Sequence, residues 1–94
     1  MNYIVLEHLR GPRANEVEEF SLSEYSELVL GRDPSANIRF APDDTLVGRQ
    51  HLKLGPDPTN PDRFLLTDLN SRNGTFINGH RVIGTTVIRP GDAF

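Results

Sequence analysis

Hydrophobic residues along this chain come in short runs, and the runs are separated by segments rich in glycine, proline, asparagine and aspartate. No window places apolar residues at helical spacing over three turns. Several runs instead alternate apolar and polar residues, which is the pattern of a strand with one buried face. The pattern therefore predicts a chain built from strands.

Short strands with turn signals roughly every eight to twelve residues are typical of an all-β sandwich. Binding residues in such folds lie in loops at one end of the sandwich. Loops are expected after Gly31, at Ala41–Thr45 and at Gly55–Asp62, the last of which holds three prolines. The predicted strands are Asn2–Leu9, Val17–Leu22, Ser26–Leu30, Asn37–Phe40, Arg49–Leu54, Arg63–Leu69, Thr75–Ile77, His80–Ile83 and Thr85–Ile88.

Composition narrows the classes of function. The 94 residues are enough for one domain, which we place at residues 1–94, and the net charge of −3 argues against non-specific binding to nucleic acid or membranes. Cysteine is absent, which excludes disulfides, thiolate metal sites and a cysteine nucleophile. The N-terminus lacks a secretory signal and no apolar run reaches membrane-spanning length, so we expect a cytoplasmic protein.

Charge is unevenly distributed along the chain. Every glutamate lies between Glu7 and Glu27, whereas several arginines stand beside turn signals in the later part of the sequence. A local cationic pocket on an acidic protein is therefore possible, although most of these charges are expected to be solvated.

The richest stretch is Asp68–Gly79, which carries two Asn-Gly pairs around the short strand Thr75–Ile77. Asn-Gly is a strong turn signal because both residues tolerate positive φ. The first turn displays three neighbouring hydrogen-bond donors, and converging donors suit an anion. The alternative is a tight connection between strands with no ligand. The residues that carry this hypothesis are Ser71, Arg72 and Asn73, with turns at Asn73-Gly74 and Asn78-Gly79.

Other chemistries fit poorly. A calcium loop starting at Asp68 has the wrong spacing and has Gly79 where a bidentate glutamate is needed. The three histidines lack metal-ligand spacing. A hydrolase built from Ser71, His51 and Asp68 lacks a motif that exposes the nucleophile. An oligonucleotide-binding barrel would need a basic groove with interleaved aromatic residues. We therefore expect no catalysis, no metal and no cofactor.

Three segments, taken in order, resemble the forkhead-associated (FHA) domain, a β-sandwich that recognises phosphothreonine. They are Gly31-Arg32, Gly48-Arg49-Gln50-His51 and Asp68–Thr75, followed by Asn78-Gly79. The resemblance covers nearly the whole chain, and its strength lies in the ordered set of motifs. The clear mismatch is Gly48, where the family usually has serine.

The resemblance implies a role for each polar residue. Arg32 would be the principal phosphate ligand, because a guanidinium offers a charged fork of donors. Arg49 would be a second donor, and the charge of Arg72 would partly compensate for Gly48. Asn73 would hold the peptide backbone, and Ser71 would donate to the phosphate or to its own loop. The alternative for Arg32 is a surface arginine paired with a carboxylate such as Asp33.

The remaining motif residues are expected to be structural. By resemblance His51 supports the recognition loops from inside, although strand alternation would put it on the same face as Lys53. The glycines and the second Asn-Gly pair would shape the loops: Gly31, Gly48, Gly74, Asn78 and Gly79.

The resulting hypothesis is a phosphothreonine-peptide recognition module that mediates protein–protein interaction in Ser/Thr-kinase signalling, as part of a larger multidomain protein. The alternative is a degenerate FHA domain that binds partners independently of phosphate, because Gly48 removes a ligand. The family usually continues past a Gly-Asp turn, here Gly91-Asp92, so we also expect the last strand of the domain to be missing.

Overall fold

The structure is a computed structural model that describes residues 3–9, 13–21, 24–41 and 46–94, except for the side chains at positions 61 and 62. The described residues form strands, turns and loops and contain no helix. The strands are β1 (Tyr3–Glu7), β2 (Val17–Ser21), β3 (Leu28–Gly31), β4 (Ile38–Arg39), β5 (Leu52–Asp57), β6 (Asn60–Asp68), β7 (Thr75–Ile77), β8 (His80–Val82) and β9 (Thr85–Ile88).

Five strands form one sheet in the order β4-β3-β5-β6-β9. Its neighbouring strands are antiparallel except β3 and β4, which run parallel. The other four strands form two antiparallel pairs, β1 with β2 and β7 with β8. The all-β prediction is therefore confirmed, with one parallel pair inside the otherwise antiparallel arrangement.

The core lies between the five-stranded sheet and the two strand pairs. Ile38, Leu54 and Leu66 are almost completely buried on the large sheet, and Val82 adds a buried side chain from β8. Ile4, Leu6, Phe20 and Ile77 from the two strand pairs pack against this cluster. Truncating one such buried leucine or isoleucine to alanine typically costs about 2–5 kcal/mol, so these contacts hold the layers together.

The register brings several strand ends to one edge of the fold. Leu52, the first residue of β5, pairs with Leu30 near the end of β3 and with Asp68 at the end of β6. The β3–β4 loop, the β4–β5 loop and the β6–β7 loop consequently meet there. We call this edge the recognition end, because it gathers the loops that the sequence analysis selected.

The prediction of a loop at Gly55–Asp62 is wrong. β5 continues to Asp57 and β6 begins at Asn60, so the two strands form a hairpin with a tight turn at positions 58 and 59. Pairing with β3 stops at Leu54 and pairing with β9 stops at Phe64. Prolines are tolerated in this hairpin because β3 and β9 do not extend along it. A proline that lacks an N–H on those outer edges therefore loses no hydrogen bond to a neighbouring strand.

Other boundaries shift by a few residues. The strand predicted at Arg49–Leu54 begins only at Leu52, which leaves Arg49 and His51 in the preceding loop. Thr75–Ile77 and Thr85–Ile88 are strands with the predicted bounds. Asn2, Leu22 and positions 42–45 of the predicted loop lie outside the described residues.

Candidate functional site

Gly31 allows the β3–β4 loop and the β4–β5 loop to touch. The backbone N–H of Arg32 donates to the Gly48 carbonyl at 3.0 Å, and that of Asp33 donates to the Arg49 carbonyl at 2.9 Å. A Cβ on residue 31 would lie 2.0 Å from the Arg49 carbonyl oxygen, which is impossible without moving the backbone. Glycine is therefore required here by close approach, and its φ is not left-handed.

The two arginines of this contact have different surroundings. Arg32 is half-buried, and its Nε donates to the Val47 carbonyl, which directs the guanidinium along the β4–β5 loop. That bond uses one of the five N–H donors of an arginine. The Arg49 side chain is 75% exposed, and its Nη2 lies 3.6 Å from the Asp33 carboxylate.

Asp33 shapes the loop that follows Arg32. Its carboxylate accepts hydrogen bonds from the backbone N–H of Ser35 at 2.9 Å and from the Ser35 hydroxyl at 2.7 Å. These two bonds, assisted by the nearby charges of Arg49 and Arg39, hold the pKa of Asp33 below its usual value against the opposing effect of burial. Asp33 is thus ionised at neutral pH and is the carboxylate that the Arg49 guanidinium contacts.

His51 is buried and connects the loops through both of its ring nitrogens. Nδ1 accepts the N–H of Gly48 at 2.9 Å, and Nε2 lies 2.9 Å from the carbonyl oxygen of Gly74. These partners require the neutral tautomer with its proton on Nε2. Because His51 precedes β5, strand alternation with Lys53 does not apply to it.

Asp68 closes the β6–β7 loop from inside. Its Oδ1 accepts the hydroxyls of Ser71 at 2.5 Å and Thr75 at 2.8 Å, and its Oδ2 accepts the Ser71 N–H at 3.3 Å. Burial raises the pKa of Asp68, but the hydrogen bonds from Ser71 and Thr75 outweigh it, so the net pKa is lowered. The Ser71 hydroxyl therefore donates to its own loop, which is one of the two roles expected for it.

Arg72 and Asn73 lie on the outer side of the same loop. Both are exposed, and the Asn73 amide donates to the Leu46 carbonyl at 3.3 Å, across to the β4–β5 loop. Arg72 makes no hydrogen bond or ion pair with any other residue that the structure describes. Arg32, Arg49, Arg72 and Asn73 thus belong to loops that meet at the recognition end.

Asn78 and Gly79 lie apart from this group of loops. They form the turn of the β7–β8 hairpin with φ of 50° and 84°. The Asn78 amide bonds Asp92 and the backbone of Ala93 near the C-terminus. The pair fixes the far end of the hairpin, as its Asn-Gly geometry requires.

Two residues, one in the β6–β7 loop and one beside it, were not predicted from the sequence. Asn70, not Asn73, is the left-handed asparagine of the β6–β7 loop, with φ of 57°, and Gly74 follows at 87°. Arg81 on β8 lies against Gly74, since a Cβ built on Gly74 would be 3.2 Å from Arg81 Nε. Spacing alone could not place Arg81 there, because its position depends on how the β7–β8 hairpin folds back.

A family model supplies the deciding observation, because the FHA domain model matches residues 28–94, which include all three recognition loops. The chain belongs to the FHA domain family. The FHA resemblance predicted from the ordered motifs is confirmed. No curated protein matches the chain in a sequence search.

Solved structures of FHA domains superpose on this chain. One, from a study of phosphothreonine-dependent FHA domain interactions, is 28% identical with a TM-score of 0.75, covering 97% of this chain and 83% of its own. The FhaA FHA domain, solved with the intracellular domain of Rv3910, is 31% identical with a TM-score of 0.66, covering 83% and 76%. The FHA-1 domain of Mycobacterium tuberculosis Rv1747 is 28% identical with a TM-score of 0.65, covering 93% and 74%.

No group of three or more histidine, aspartate or glutamate side chains among the residues that the structure describes is arranged to hold a metal ion. Nor does that part of the chain contain a helix that is long and apolar enough to cross a membrane.

Proposed function

We propose that this FHA domain binds a phosphothreonine segment of a partner protein, without catalysis, within a larger cytoplasmic signalling protein that acts beside Ser/Thr kinases. The observation that carries the proposal is the meeting of Arg32, Arg49, Arg72 and Asn73 on three loops at one end of the sheet. A phosphothreonine carries close to two negative charges and three acceptor oxygens, which such a set of donors can satisfy.

Each side chain has a proposed role in that complex. Arg32 binds the phosphate, because its backbone is held by Gly48 and its side chain is directed by Val47. Arg49 approaches the phosphate by leaving its 3.6 Å contact with Asp33, a weak exposed pair that costs little to break. Arg72 adds charge from the opposite loop, and Asn73 bonds the peptide backbone.

A second candidate rests on Gly48. This position has no side-chain donor where the family usually has a serine hydroxyl, and the Ser71 hydroxyl is turned towards Asp68. A domain that lost its phosphate ligands in this way could still bind partners through the same loops without phosphorylation. Comparing each peptide with its unphosphorylated form distinguishes the two candidates.

The test is calorimetric titration of a degenerate phosphothreonine peptide library and then of single peptides. Arg32→Ala is expected to reduce affinity at least about tenfold, because a hydrogen bond to a charged group contributes about 1.5–3 kcal/mol. Arg63→Ala is the matched control, since Arg63 is an exposed arginine on β6 before the stretch that pairs with β9. Unchanged isotherms for Arg32→Ala would refute its assignment as phosphate ligand.

A further inference from the structure

An exposed arginine and an exposed aromatic ring lie together beside the recognition end. Phe76 on β7 pairs directly with Arg81 on β8, so both side chains project from the same face of the hairpin. Phe76 is 45% exposed despite its large apolar ring, and Arg81 is also exposed. We call these two side chains the Phe76–Arg81 patch.

The patch adjoins the β6–β7 loop through Gly74. A Cβ on Gly74 would lie 3.2 Å from Phe76 Cε2, 3.2 Å from Arg81 Nε and 3.3 Å from Arg81 Cζ, so both groups rest against this residue. The carbonyl oxygen of Gly74 accepts the hydrogen bond from His51 Nε2. Gly74 therefore stands between the patch and the histidine that connects the loops.

The segment of the sequence that contains Arg81 carries arginines and no acidic residue. No aspartate or glutamate occurs from Leu69 to Gly91, whereas Arg72, Arg81 and Arg89 do. The Arg81 side chain forms no hydrogen bond or ion pair with another residue in the described ranges. An extended ligand that leaves the phosphate site over Gly74 would meet a guanidinium that pairs with no carboxylate among the residues the structure describes.

We infer that Arg81 determines specificity by binding an aspartate or glutamate side chain of the ligand peptide, with the Phe76 ring supporting the aliphatic part of that residue. The inference rests on the proposed phosphothreonine binding and adds a second point of recognition to it. An acidic side chain near the phosphothreonine is selected, and a basic one is rejected by like charge.

The experiment uses phosphothreonine peptides with an otherwise alanine-based sequence, in which each of the flanking positions carries glutamate, alanine or lysine in turn. The wild-type protein is expected to prefer glutamate over alanine at one position by about two- to fivefold, the range of an exposed ion pair. Arg81→Ala should remove that preference while binding the all-alanine peptide within about twofold of wild type. Arg81→Glu should prefer lysine at the same position.

Arg89→Ala is the matched control. Arg89 is an exposed arginine that follows the far end of β9, and its backbone N–H and carbonyl both bond Asp92. It should keep the wild-type preference for glutamate. Phosphopeptide binding without any positional preference, or a preference that survives Arg81→Ala, overturns the role of Arg81 alone. Failure of the wild-type protein to bind every phosphothreonine peptide overturns this inference together with the proposed function.

Discussion

Two aspartates at opposite ends of the β5–β6 pair make the same local contact with different consequences. Asp57 accepts the N–H and the hydroxyl of Thr59 at 2.9 and 2.8 Å and shapes the hairpin turn. Asp68 accepts the N–H and the hydroxyl of Ser71, but it also accepts the hydroxyl of Thr75, seven residues along the chain. The first aspartate closes a turn, and the second holds the two ends of a binding loop together.

The difference lies in what surrounds each turn. The hairpin turn lies beyond the strands that flank β5 and β6, so its contacts are local. The β6–β7 loop is connected through His51 to Gly48, and the loop of Gly48 is connected through Gly31 to Arg32. The recognition end should therefore respond to a mutation as one unit, whereas the hairpin turn should respond alone.

The largest effect is expected for Gly31→Ala. The new Cβ would overlap the Arg49 carbonyl oxygen at 2.0 Å, so the two loops must separate. We expect a loss of more than about 3 kcal/mol in stability, as for severe overpacking, together with loss of phosphopeptide binding. Urea denaturation and calorimetry measure the two effects. Gly79→Ala is the control, since its strain is confined to the hairpin turn and should leave binding unchanged.

His51→Ala should have the next largest effect. It leaves a buried space and removes the partners of the Gly48 N–H and the Gly74 carbonyl, for a loss of about 2 kcal/mol or roughly 10 °C in melting temperature. His8→Ala is the control, because His8 lies far from His51 in the sequence and bonds Glu18 of β2 instead of the recognition loops. An unaltered melting temperature with lost binding would instead make His51 a direct ligand.

Asp68→Asn should cost about 1–2 kcal/mol and weaken phosphopeptide binding, because the amide keeps one acceptor and places a donor against the Ser71 N–H. Asp57→Asn is the matched change at the opposite end of the β5–β6 pair, and it should leave phosphopeptide binding unchanged. Equal binding losses in the two variants would contradict the comparison, because they would mean that the recognition end is not a distinct unit.

The lowered pKa of Asp68 predicts that the effect of Asp68→Asn on stability depends on pH. The folded-state pKa of Asp68 lies below the unfolded value of 3.8, so its contribution is fully present above that value and is lost as pH falls through the folded pKa. The stability difference between wild type and Asp68→Asn should therefore shrink below about pH 4. Urea denaturation at several pH values measures it, and a difference that grows on acidification would contradict the direction of the shift.

Several features of the fold and the site could be predicted from sequence because they depend on local signals. The strand Thr75–Ile77 and the turn at Asn78-Gly79 follow from one β-prone segment and one Asn-Gly pair. The continuous hairpin through Pro56 and Pro61 could not be predicted, because proline is tolerated there only where the flanking strands have already ended. Local turn signals do not reveal which edges of a strand are paired.

In the site, too, some features follow from local sequence signals and others depend on tertiary packing. The ordered motifs selected Arg32, Arg49 and Asn73, and the register explains why their loops meet. The inward turn of the Ser71 hydroxyl could have been anticipated from Asp68 three residues earlier, since aspartate commonly bonds the backbone and hydroxyls that follow it. The position of Arg81 against Gly74 depends on how the β7–β8 hairpin packs, and the spacing of residues in the sequence does not reveal that packing.

The smallest effect on stability, and a gain in affinity, is expected for Gly48→Ser. A Cβ at residue 48 would lie 3.6 Å from the Cα and Nδ1 of His51, which is ordinary contact, and φ there is not left-handed. The bonds of Gly48 to His51 and Arg32 use only its backbone and survive the change. Stability should therefore stay within about 0.5 kcal/mol of wild type.

The new hydroxyl restores the donor that the family usually has at this position, and a hydrogen bond to a charged group contributes about 1.5–3 kcal/mol. After the cost of ordering the side chain, we expect up to about a tenfold gain in affinity for a phosphothreonine peptide. Gly48→Ala isolates the hydroxyl, because it adds the same Cβ and should bind like wild type. Calorimetry with the phosphothreonine, phosphoserine and unphosphorylated forms of one peptide measures the effect. Equal affinities for the serine and alanine variants would mean that the hydroxyl at residue 48 does not reach the phosphate, and would contradict the assignment of this position as a missing phosphate ligand.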